Sequence, residues 1–422
     1  MREMKDSGIA WLGAIPNDYT TAPIGSLFTI KKDIIGHEPE TVLSITQTGV
    51  KPKDLSSNEG QNASSYAHYQ KVSIGDFAMN HMDLLTGWVD ISKYEGVTSP
   101  DYRVFCLNDK SHSADFFLRV FQYYYANKVF FGFGQGVATL GRWRLPAVNF
   151  QKIDVPVPPQ DEQERIIQAI NDKVEKIENL KRNVNEQIEK LKLYKQSMIT
   201  EVVTRGLDPF VPMKDSGSIW IGKIPTHWKM NRIKFCSTYN DETLSEKEDE
   251  NMVIDYVDIG SVSLSEGVFR TEQFRFLDAP SRARRITKSG DIIVSTVRTY
   301  LKAIAAIKQD GLIVSTGFCV LRPNGIINNR YMEYFCKSDS FTNTVSANSY
   351  GISYPAINAT SLVAFQIIVP TEKEQLQIAE FLDDKCYRID SLIRIKERKI
   401  EKLEQYKKSL IYEYITGKKE VL

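Results

Sequence analysis

Two long stretches of the chain carry apolar residues at steps of three and four positions within an otherwise polar sequence. The first runs from about residue 160 to residue 205. Its apolar positions are Ile166, Ile170, Val174, Ile177, Val184, Ile188, Leu191 and Met198. This spacing is typical of a coiled-coil seam, and so narrow an apolar stripe favours packing against one other helix. Gly206 follows the stretch, at a position where helices commonly end.

The second stretch, from about residue 372 to residue 417, repeats the first. Glu162 corresponds to Glu374, a shift of 212 positions, and the same shift relates Tyr194 to Tyr406. Because two matched seams in one chain can bury each other, the sequence predicts that the two helices pack together.

A shorter motif precedes each helical stretch. The pattern Trp-x-Gly-x-Ile-Pro begins at Trp11 and again at Trp220, a shift of 209 positions. The chain is therefore predicted to consist of segment, helix, segment and helix. The predicted boundaries are residues 1–158 for the first segment, 159–206 for the first long helix, 207–370 for the second segment and 371–422 for the second long helix.

Each segment is predicted to be a mixed α and β domain. The predicted strands lie within residues 41–46, 69–80, 99–107, 252–260, 290–297, 302–307 and 312–321. Helices are predicted over residues 114–128 and 328–337. The first of these carries an aromatic stripe, including Phe121, that we expect in the core rather than as a stacking platform for bases. Gly75-Asp76 and Gly290-Asp291 indicate a common skeleton beneath diverged sequences.

The expected fold class is α+β. Two mixed α/β domains are joined by two long helices, which pack as an antiparallel coiled coil with pseudo-two-fold symmetry. An arrangement of this kind matches the symmetry of duplex DNA, in which two half-sites are approached from one side at a fixed spacing.

Composition limits these interpretations. The 422 residues suffice for two or three domains. Because 54 basic residues face 53 acidic ones, the net charge is +1, and any charge for binding DNA must be concentrated locally. No apolar run is long enough to span a membrane, and the first residues lack the apolar core of a signal peptide. The five cysteines include no Cys-x-x-Cys pair, which argues against a zinc site or a disulfide framework, so we expect a cytoplasmic protein.

The order of these motifs resembles the specificity subunit of a type I restriction-modification system. The resemblance covers almost the whole chain. It rests on the repeated Trp-x-Gly-x-Ile-Pro motif, on the Gly-Asp skeleton, and on the sequences PVPPQDEQERI and VPTEKEQLQI that lead into the helices. It departs at Thr371, where the first copy has a second proline. The resemblance implies two target-recognition domains that each read one half of a split, asymmetric site, with helices that fix the gap.

The resemblance further implies a chain without catalysis of its own. The expected partners are double-stranded DNA, two methyltransferase subunits that modify adenine at N6, and restriction/translocase subunits, with no membrane. S-adenosylmethionine, ATP and magnesium are expected on those partner subunits. No cofactor, metal ligand or catalytic residue is therefore expected in this chain.

Candidate DNA contacts in the first segment lie at the end of a predicted strand and around a glycine-rich turn. Asn80 and His81 follow the strand and could contact base edges, although turn chemistry explains them equally well. Gln135 lies in the turn FFGFGQG, and Arg142 and Arg144 follow it. Arginine can bind phosphates or form a bidentate pair with guanine.

Candidates in the second segment form a basic cluster, a strand-turn group and a group before Gly351 that matches the glycine-rich turn in position. They are Arg282, Arg284, Arg285, Arg298, Tyr300, Lys302, Asn348, Ser349 and Tyr350. For the basic cluster, as for Arg142 and Arg144, an ordinary exposed group of charges remains the alternative, and the other two groups remain equally open to a purely structural role.

Two other functions stay open. FFGFGQG fits the Phe-x-Gly-x-Gly of S-adenosylmethionine-binding loops, but a helix precedes its glycines and a strand-like sequence follows, the reverse of the order that such loops need. An Asn-Pro-Pro-aromatic motif for holding a flipped adenine is also missing. A modification methyltransferase is thereby disfavoured. The second alternative is a coiled-coil scaffold that binds proteins without DNA specificity, and the near-zero net charge favours it.

Overall fold

The computed structural model describes residues 2–55, 63–136 and 143–421. The first segment contains short strands and a helix of 13 residues. Its elements are β1 (Met4–Asp6), β2 (Ala14–Pro16), β3 (Thr20–Pro23), α1 (Ile24–Leu27), β4 (Phe28–Lys31), β5 (Leu43–Thr46), β6 (Gly49–Pro52), β7 (Gln70–Val72), β8 (Phe77–Met79), β9 (Val89–Ile91), β10 (Gly96–Thr98), β11 (Arg103–Leu107), α2 (Ala114–Ala126), α3 (Val129–Gly132), α4 (Ala147–Gln151) and β12 (Asp154–Val157).

The first long helix, α5, spans Gln160–Arg205 and leads into the second segment. The elements that follow are β13 (Met213–Asp215), β14 (Lys223–Pro225), β15 (Lys229–Arg232), α6 (Ile233–Cys236), β16 (Ser237–Tyr239), β17 (Val253–Val257), β18 (Val262–Ser263), β19 (Gly267–Val268), β20 (Glu272–Arg275), β21 (Ala283–Ile286), β22 (Ile292–Ser295), β23 (Ile304–Ala306), β24 (Ile313–Ser315), β25 (Phe318–Pro323), α7 (Asn329–Lys337), α8 (Asp339–Ala347), α9 (Ala359–Leu362) and β26 (Gln366–Val369). The second long helix, α10, spans Glu372–Ile415. Within the described ranges, neither long helix nor any shorter one is apolar over enough of its length to cross a membrane.

Each segment is built around a four-stranded antiparallel sheet with the same arrangement. The strand order is β4-β11-β8-β9 in the first segment and β16-β25-β22-β23 in the second. Val104 pairs with Ala78 in the first sheet, and Val320 pairs with Ile293 in the second. Because these registers correspond, Arg103 and the residue before Val320, which is Cys319, occupy equivalent positions.

Helix α2 packs on the first sheet through its aromatic stripe. Its N-terminus is capped by Ser113, whose hydroxyl accepts a hydrogen bond from the N–H of Phe116. The stripe consists of Phe116, Phe117, Phe121 and Tyr124, and each of these residues is fully buried. The prediction that this stripe belongs to the core is confirmed.

Two predicted strands are each divided by a turn. Residues 69–80 form β7 and β8, because Gly75 adopts a φ of 91° and the Asp76 carboxylate accepts the N–H of Ser73 at 2.9 Å. Residues 312–321 likewise divide between β24 and β25. The second segment also contains a sheet ordered β20-β17-β24-β21, with β17 and β24 parallel, where the first has the two-stranded sheets β5-β6 and β7-β10.

The chain forms two compact units, each holding one segment and part of both long helices. The first unit comprises residues 1–183 and 398–422, and the second comprises residues 184–397. In the first unit, the Lys407 ammonium lies 2.7 Å from the Glu178 carboxylate, and Lys181 pairs with Glu404. Later positions of α5 therefore meet earlier positions of α10, so the two helices pack antiparallel there.

The second unit repeats this pairing. The Lys195 ammonium lies 2.7 Å from Asp390, and the Lys396 ammonium donates to the Gln187 side chain at 2.5 Å. Beneath these polar contacts, Met198 of the predicted seam lies in the core of the unit. The predicted antiparallel packing is thus confirmed within each unit.

Each core needs the beginning of one long helix and the end of the other. In the first unit, Leu410 and Ile415 of α10 join Ile166 of α5 in the aromatic core. In the second unit, Val203 of α5 joins Ile378 of α10. The first segment is therefore completed by the end of α10, which lies far away in the sequence, whereas the second is completed by the helix ends that flank it directly.

The first turn of each long helix is tied to its segment by a buried glutamine. Gln163 accepts a hydrogen bond from the N–H of Ser113 at 2.9 Å, and Gln375 accepts one from the N–H of Asn328 at 2.6 Å. Ser113 and Asn328 are also the N-caps of α2 and α7. The helix of each segment and the start of its long helix are thus fixed to each other.

Candidate nucleic-acid interface

In the first unit, the loop after β8 is bonded to the chain that follows the glycine-rich turn. The N–H of Leu145 donates to the carbonyl of His81 at 2.9 Å, and the N–H of Leu84 donates to that of Trp143 at 3.2 Å. We call residues 80–87, 133–136 and 143–145 the first loop pair.

Gln135 and Arg144 lie opposite each other in this loop pair and exchange backbone hydrogen bonds of 2.7 and 3.0 Å. Both residues are exposed. The structure therefore brings two predicted DNA contacts together at the surface. Arg142, a third predicted contact, lies outside the described residues.

In the second unit, the loop after β22 contacts the chain after α8 in the same way. The N–H of Ile357 donates to the carbonyl of Thr296 at 2.8 Å, and the N–H of Thr299 donates to that of Pro355 at 3.2 Å. We call residues 296–302 and 348–357 the second loop pair.

The two loop pairs share one hydrogen-bonding frame. Tyr350 and Ala356 exchange two backbone bonds of 2.9 Å, as Gln135 and Arg144 do in the first unit. The predicted match in position between residues 348–350 and the glycine-rich turn agrees with this frame. At the surface, however, the side chains on the frame differ between the units.

Asn80 shapes the first loop pair from within. Its side-chain oxygen accepts the N–H groups of Met82 and Asp83 at 3.2 and 3.3 Å. The Tyr125 hydroxyl supports the same turn by donating to the Asp83 carbonyl at 2.8 Å. Asn80 therefore stabilises a turn through its side chain, which is one of the two roles considered for it.

His81 lies half-buried at the base of the first loop pair. Burial lowers the pKa of His81 to about 3, and the guanidinium groups of Arg103 and Arg144 act in the same direction. Its Nδ1 is buried and has no hydrogen-bond partner in the described part of the chain. A neutral imidazole can exchange a hydrogen bond with a base, but it supplies no charge to a phosphate.

Arg103, at the start of β11, is a buried cation that sequence reasoning missed. It is 4% exposed, its guanidinium lies 4.6 Å from the centroid of the Phe150 ring, and its Nη2 donates to the Leu145 carbonyl at 2.7 Å. No carboxylate of the described residues forms an ion pair with it, and burial lowers the pKa of Arg103 to about 10. The bond to Leu145 fixes the first loop pair. The available signal was an arginine at the start of the otherwise apolar strand RVFCL.

The second loop pair contains a short 3-10 turn, Thr299–Leu301. Arg298 and Lys302 flank this turn with φ angles of 51° and 47°, a left-handed conformation that residues other than glycine rarely adopt. Arg298 and Tyr300 are exposed, and the Lys302 ammonium lies 4.0 Å from the Asp339 carboxylate. The structure thus brings three predicted contacts together on one strained turn.

The remaining predicted residues of this loop pair divide between support and surface. The Ser349 hydroxyl accepts a hydrogen bond from the Thr299 hydroxyl at 2.9 Å, which joins the two loops. The Asn348 amide donates to the Thr344 carbonyl at 2.8 Å, at the end of α8. Tyr350, by contrast, is 82% exposed.

Two residues of the second loop pair were not predicted. The Arg298 guanidinium lies 5.2 Å from the centroid of the Tyr354 ring, and Ile352 is fully exposed. Both belong to the turn Tyr-Gly-Ile-Ser-Tyr-Pro. The signal that could have found them is the presence of large apolar residues in a turn, where polar ones are usual.

The predicted basic cluster lies on and beside β21, on a different sheet from the strand that leads into the second loop pair. The Arg284 guanidinium lies 5.0 Å from the centroid of the Phe276 ring, and Arg285 donates to the Thr243 hydroxyl at 3.1 Å. Arg282 is exposed. Two of the three guanidinium groups therefore make contacts inside the unit.

Residues 227–405 match the family model described as type I restriction modification DNA specificity domain. The chain is 24% identical over 281 residues to the type I restriction enzyme MjaVIII specificity subunit of Methanocaldococcus jannaschii, a match that covers 64% of this chain and 63% of that relative. It is 21% identical over 437 aligned positions to a protein of the same organism assigned as the MjaX specificity subunit, with 96% and 95% covered.

Solved structures share the fold at low sequence identity. A chain of the structure described as "Structural basis underlying complex assembly and conformational transition of the type I R-M system" matches with a TM-score of 0.70 and 14% identity, over 95% of this chain and 98% of that one. The HsdS subunit from Thermoanaerobacter tengcongensis matches with a TM-score of 0.51 and 14% identity, over 96% and 98%.

Proposed function

We propose that the chain is a specificity subunit of a type I restriction-modification system, like the proteins it resembles, and that each of its two units recognises one half of a split DNA site. The observation that carries this proposal is the backbone frame that the two loop pairs share. Gln135 and Arg144 occupy the positions that Tyr350 and Ala356 occupy in the other unit. One frame with different side chains suits the recognition of two unlike half-sites.

The charge for DNA binding is supplied locally. The net charge of the chain is only +1. The first loop pair presents Arg144, and the second presents Arg298 and Lys302. Neutral His81 and exposed Tyr350 can form hydrogen bonds with base edges or sugars without an ion pair. This mixture favours DNA over a purely acidic surface as the ligand of the loop pairs.

The long helices have two proposed roles in the complex. They fix the gap between the half-sites, and they dock two methyltransferase subunits. The chain contributes recognition and assembly, while the partner subunits carry out adenine methylation or cleavage. S-adenosylmethionine, ATP and magnesium accordingly belong to those partners.

Co-expression of the full chain with its cognate methyltransferase subunit tests this function. Mapping of modified adenines is expected to give one asymmetric site made of two short blocks with a constant gap. A contiguous site, or the absence of sequence-specific methylation, would contradict the proposal. Methyl transfer by the purified chain alone would instead establish the methyltransferase alternative.

A salt series separates DNA recognition from a scaffold without DNA specificity. Gel shifts of the complex on cognate and random duplexes should show affinities that fall steeply with salt, with cognate DNA bound more tightly throughout. Binding to partner proteins without preference for the cognate duplex would support the scaffold.

The spacing role is tested by shortening both long helices by one heptad. At about 1.5 Å per residue this removes about 10 Å, close to three base pairs of DNA. The gap in the methylated site should shorten while both half-sites stay the same. An unchanged gap in an active complex would show that the helices do not set it.

A further inference from the structure

The second loop pair exposes a cluster of apolar side chains beside a cation. Tyr300 is 57% exposed, Tyr350 82%, Ile352 102% and Tyr354 66%. Large exposed apolar residues gathered in one place mark a surface that binds something. Arg298 lies over Tyr354 within this cluster. A ligand that binds here must therefore offer acceptors to a cation as well as apolar contacts.

Arg298 is held in position before any ligand binds. Its left-handed backbone conformation is strained for a residue with a side chain, and such strain persists where the surroundings enforce it. Here the enforcing residue is Thr299, which is buried, donates its N–H to the Pro355 carbonyl at 3.2 Å and donates its hydroxyl to Ser349 at 2.9 Å. The turn therefore fixes the direction in which the Arg298 side chain extends from the surface.

The Tyr354 ring supports the guanidinium itself. The guanidinium carbon lies 5.2 Å from the ring centroid, which is a cation–π arrangement. A guanidinium above a ring keeps its N–H groups directed outward, and their planar fork matches two acceptors on one edge. In the major groove, guanine presents such a pair, O6 and N7.

Ile352 forms the tip of the turn and can offer only apolar contact. The turn is closed by the two bonds between Tyr350 and Ala356. Gly351 has a φ of 112°, and a Cβ there would meet the Tyr354 carbonyl oxygen at 3.0 Å, so the turn depends on glycine at this position. The tip is thus a shaped feature rather than a random loop. The apolar group that bases display in the major groove is the C5 methyl of thymine.

We propose that the second unit reads a guanine with Arg298 and a thymine methyl with Ile352, both in the major groove of its half-site. This inference rests on the proposed function and adds the chemistry of one half-site to it. The cations Arg298 and Lys302 favour nucleic acid over an apolar protein surface as the occupant, although Asp339 neutralises part of the Lys302 charge.

Base analogues in the mapped site test the guanine contact. Duplexes in which each guanine in turn is replaced by 7-deazaguanine lose the N7 acceptor and nothing else. For the complex with the unchanged chain, one position in one half-site is expected to cost about 10-fold in affinity or more. In the complex with Arg298→Ala, the natural duplex should bind correspondingly weakly, and the analogue should cause no further loss. Equal losses from the analogue in both complexes would overturn the assignment.

Uracil in place of thymine tests the methyl contact, because it removes one methyl group. One thymine in the same half-site is expected to cost about 4-fold, the value of one buried carbon. Ile352→Ala should abolish the difference between thymine and uracil at that position. A difference that persists in this variant, or a half-site without guanine or thymine, would overturn the proposal.

Control variants in the same unit are Ile219→Ala, which removes another highly exposed isoleucine, and Arg275→Ala, which removes a surface arginine paired with Asp278. Neither should change the response to either analogue. Assembly with the methyltransferase subunit shows that each variant is folded. If the complex methylates a split site but the affinity losses from the variant and from the base analogue add, this inference alone is refuted. The absence of any split site would refute the proposed function.

Discussion

The first and second loop pairs have the same backbone frame but are supported by different chemistry. In the first unit, the buried guanidinium of Arg103 bonds to the Leu145 carbonyl. In the second unit, Cys319 occupies the equivalent strand position, and burial raises the pKa of its thiol to about 12, so it is neutral. There the two loops are joined instead by the hydroxyl groups of Thr299 and Ser349. Since backbone hydrogen bonds define the frame, both its surface and its support can differ between the units.

This difference predicts that each loop pair can be damaged separately. Recognition of one half-site should fail while the other is retained, provided that the change affects the support of one unit.

Phe150→Ala should have the largest effect, because it removes a ring that supports Arg103 from below. Phe150 is fully buried and packs against Phe105, with ring centroids 5.1 Å apart. Truncation of such a ring typically costs about 3 to 5 kcal/mol. Hydrogen exchange should show this loss in the first unit, with the second loop pair unchanged. The matched control is Val148→Ala, at a position that is 61% exposed, where a change within about 0.5 kcal/mol is expected.

Arg103→Met should have an intermediate effect. It leaves the Leu145 carbonyl without its side-chain donor, at a cost of about 1 to 3 kcal/mol, partly offset because a buried charge is also removed. Methylation mapping should show relaxed recognition of the first half-site only. Cys319→Ala, at the equivalent position in the second unit, removes no hydrogen bond to a loop pair and serves as the control. If Arg103→Met relaxed both half-sites equally, the supports would not be separate.

Acid should destabilise the first unit through His81. The folded-state pKa of His81 is about 3, below its ordinary value of 6.5. Between these values the unfolded chain binds a proton that the folded chain does not, so stability is lost as the pH falls from 6.5 towards 3. The second unit has Thr296 at the equivalent position and lacks this contribution. In unfolding measured across this range, His81→Phe should reduce the slope of stability against pH by about 1.4 kcal/mol per pH unit, and an unchanged slope would show that His81 does not titrate as described.

The smallest effects are expected where the two units are most alike. Lys407 and Lys195 are repeat equivalents, and each forms a 2.7 Å ion pair across the two long helices, with Glu178 and Asp390 respectively. Exposed or half-exposed pairs of this kind contribute about 0 to 1 kcal/mol. Lys407→Ala and Lys195→Ala should therefore lower the free energy of unfolding by similar, small amounts that shrink further at high salt. A loss above about 2 kcal/mol in one variant alone would show that the helix pairs are not equivalent.

The sequence predicted well whatever depends on local periodicity. The seam residue Ile166 of α5 and the aromatic residue Phe121 of α2 are buried as expected. In each helix, a spacing of three and four positions places the apolar residues on one face. The tandem repeat was equally visible, and it led to the resemblance to specificity subunits. The breaks within predicted strands were missed, because a turn such as that at Gly75 is a small signal inside a long apolar run.

The candidate site was less predictable, because its contacts are long-range. Thr299 meets Ser349 from 50 positions away, and Arg103 reaches Leu145 from 42 positions away. No local sequence pattern predicts such pairs. The same holds for Arg284, because the basic run gave no sign that its guanidinium would lie over the Phe276 ring.

The dependence of the first core on the end of α10 has a consequence during synthesis. The aromatic core of the first unit includes Leu410, Tyr414 and Ile415, so a nascent chain carries this core incomplete until those residues have left the ribosome. The second unit holds all of its own core between residues 184 and 397 and can close earlier. The order of maturation is therefore the reverse of the order of translation, and the apolar surface at risk of aggregation during that delay belongs to the segment made first.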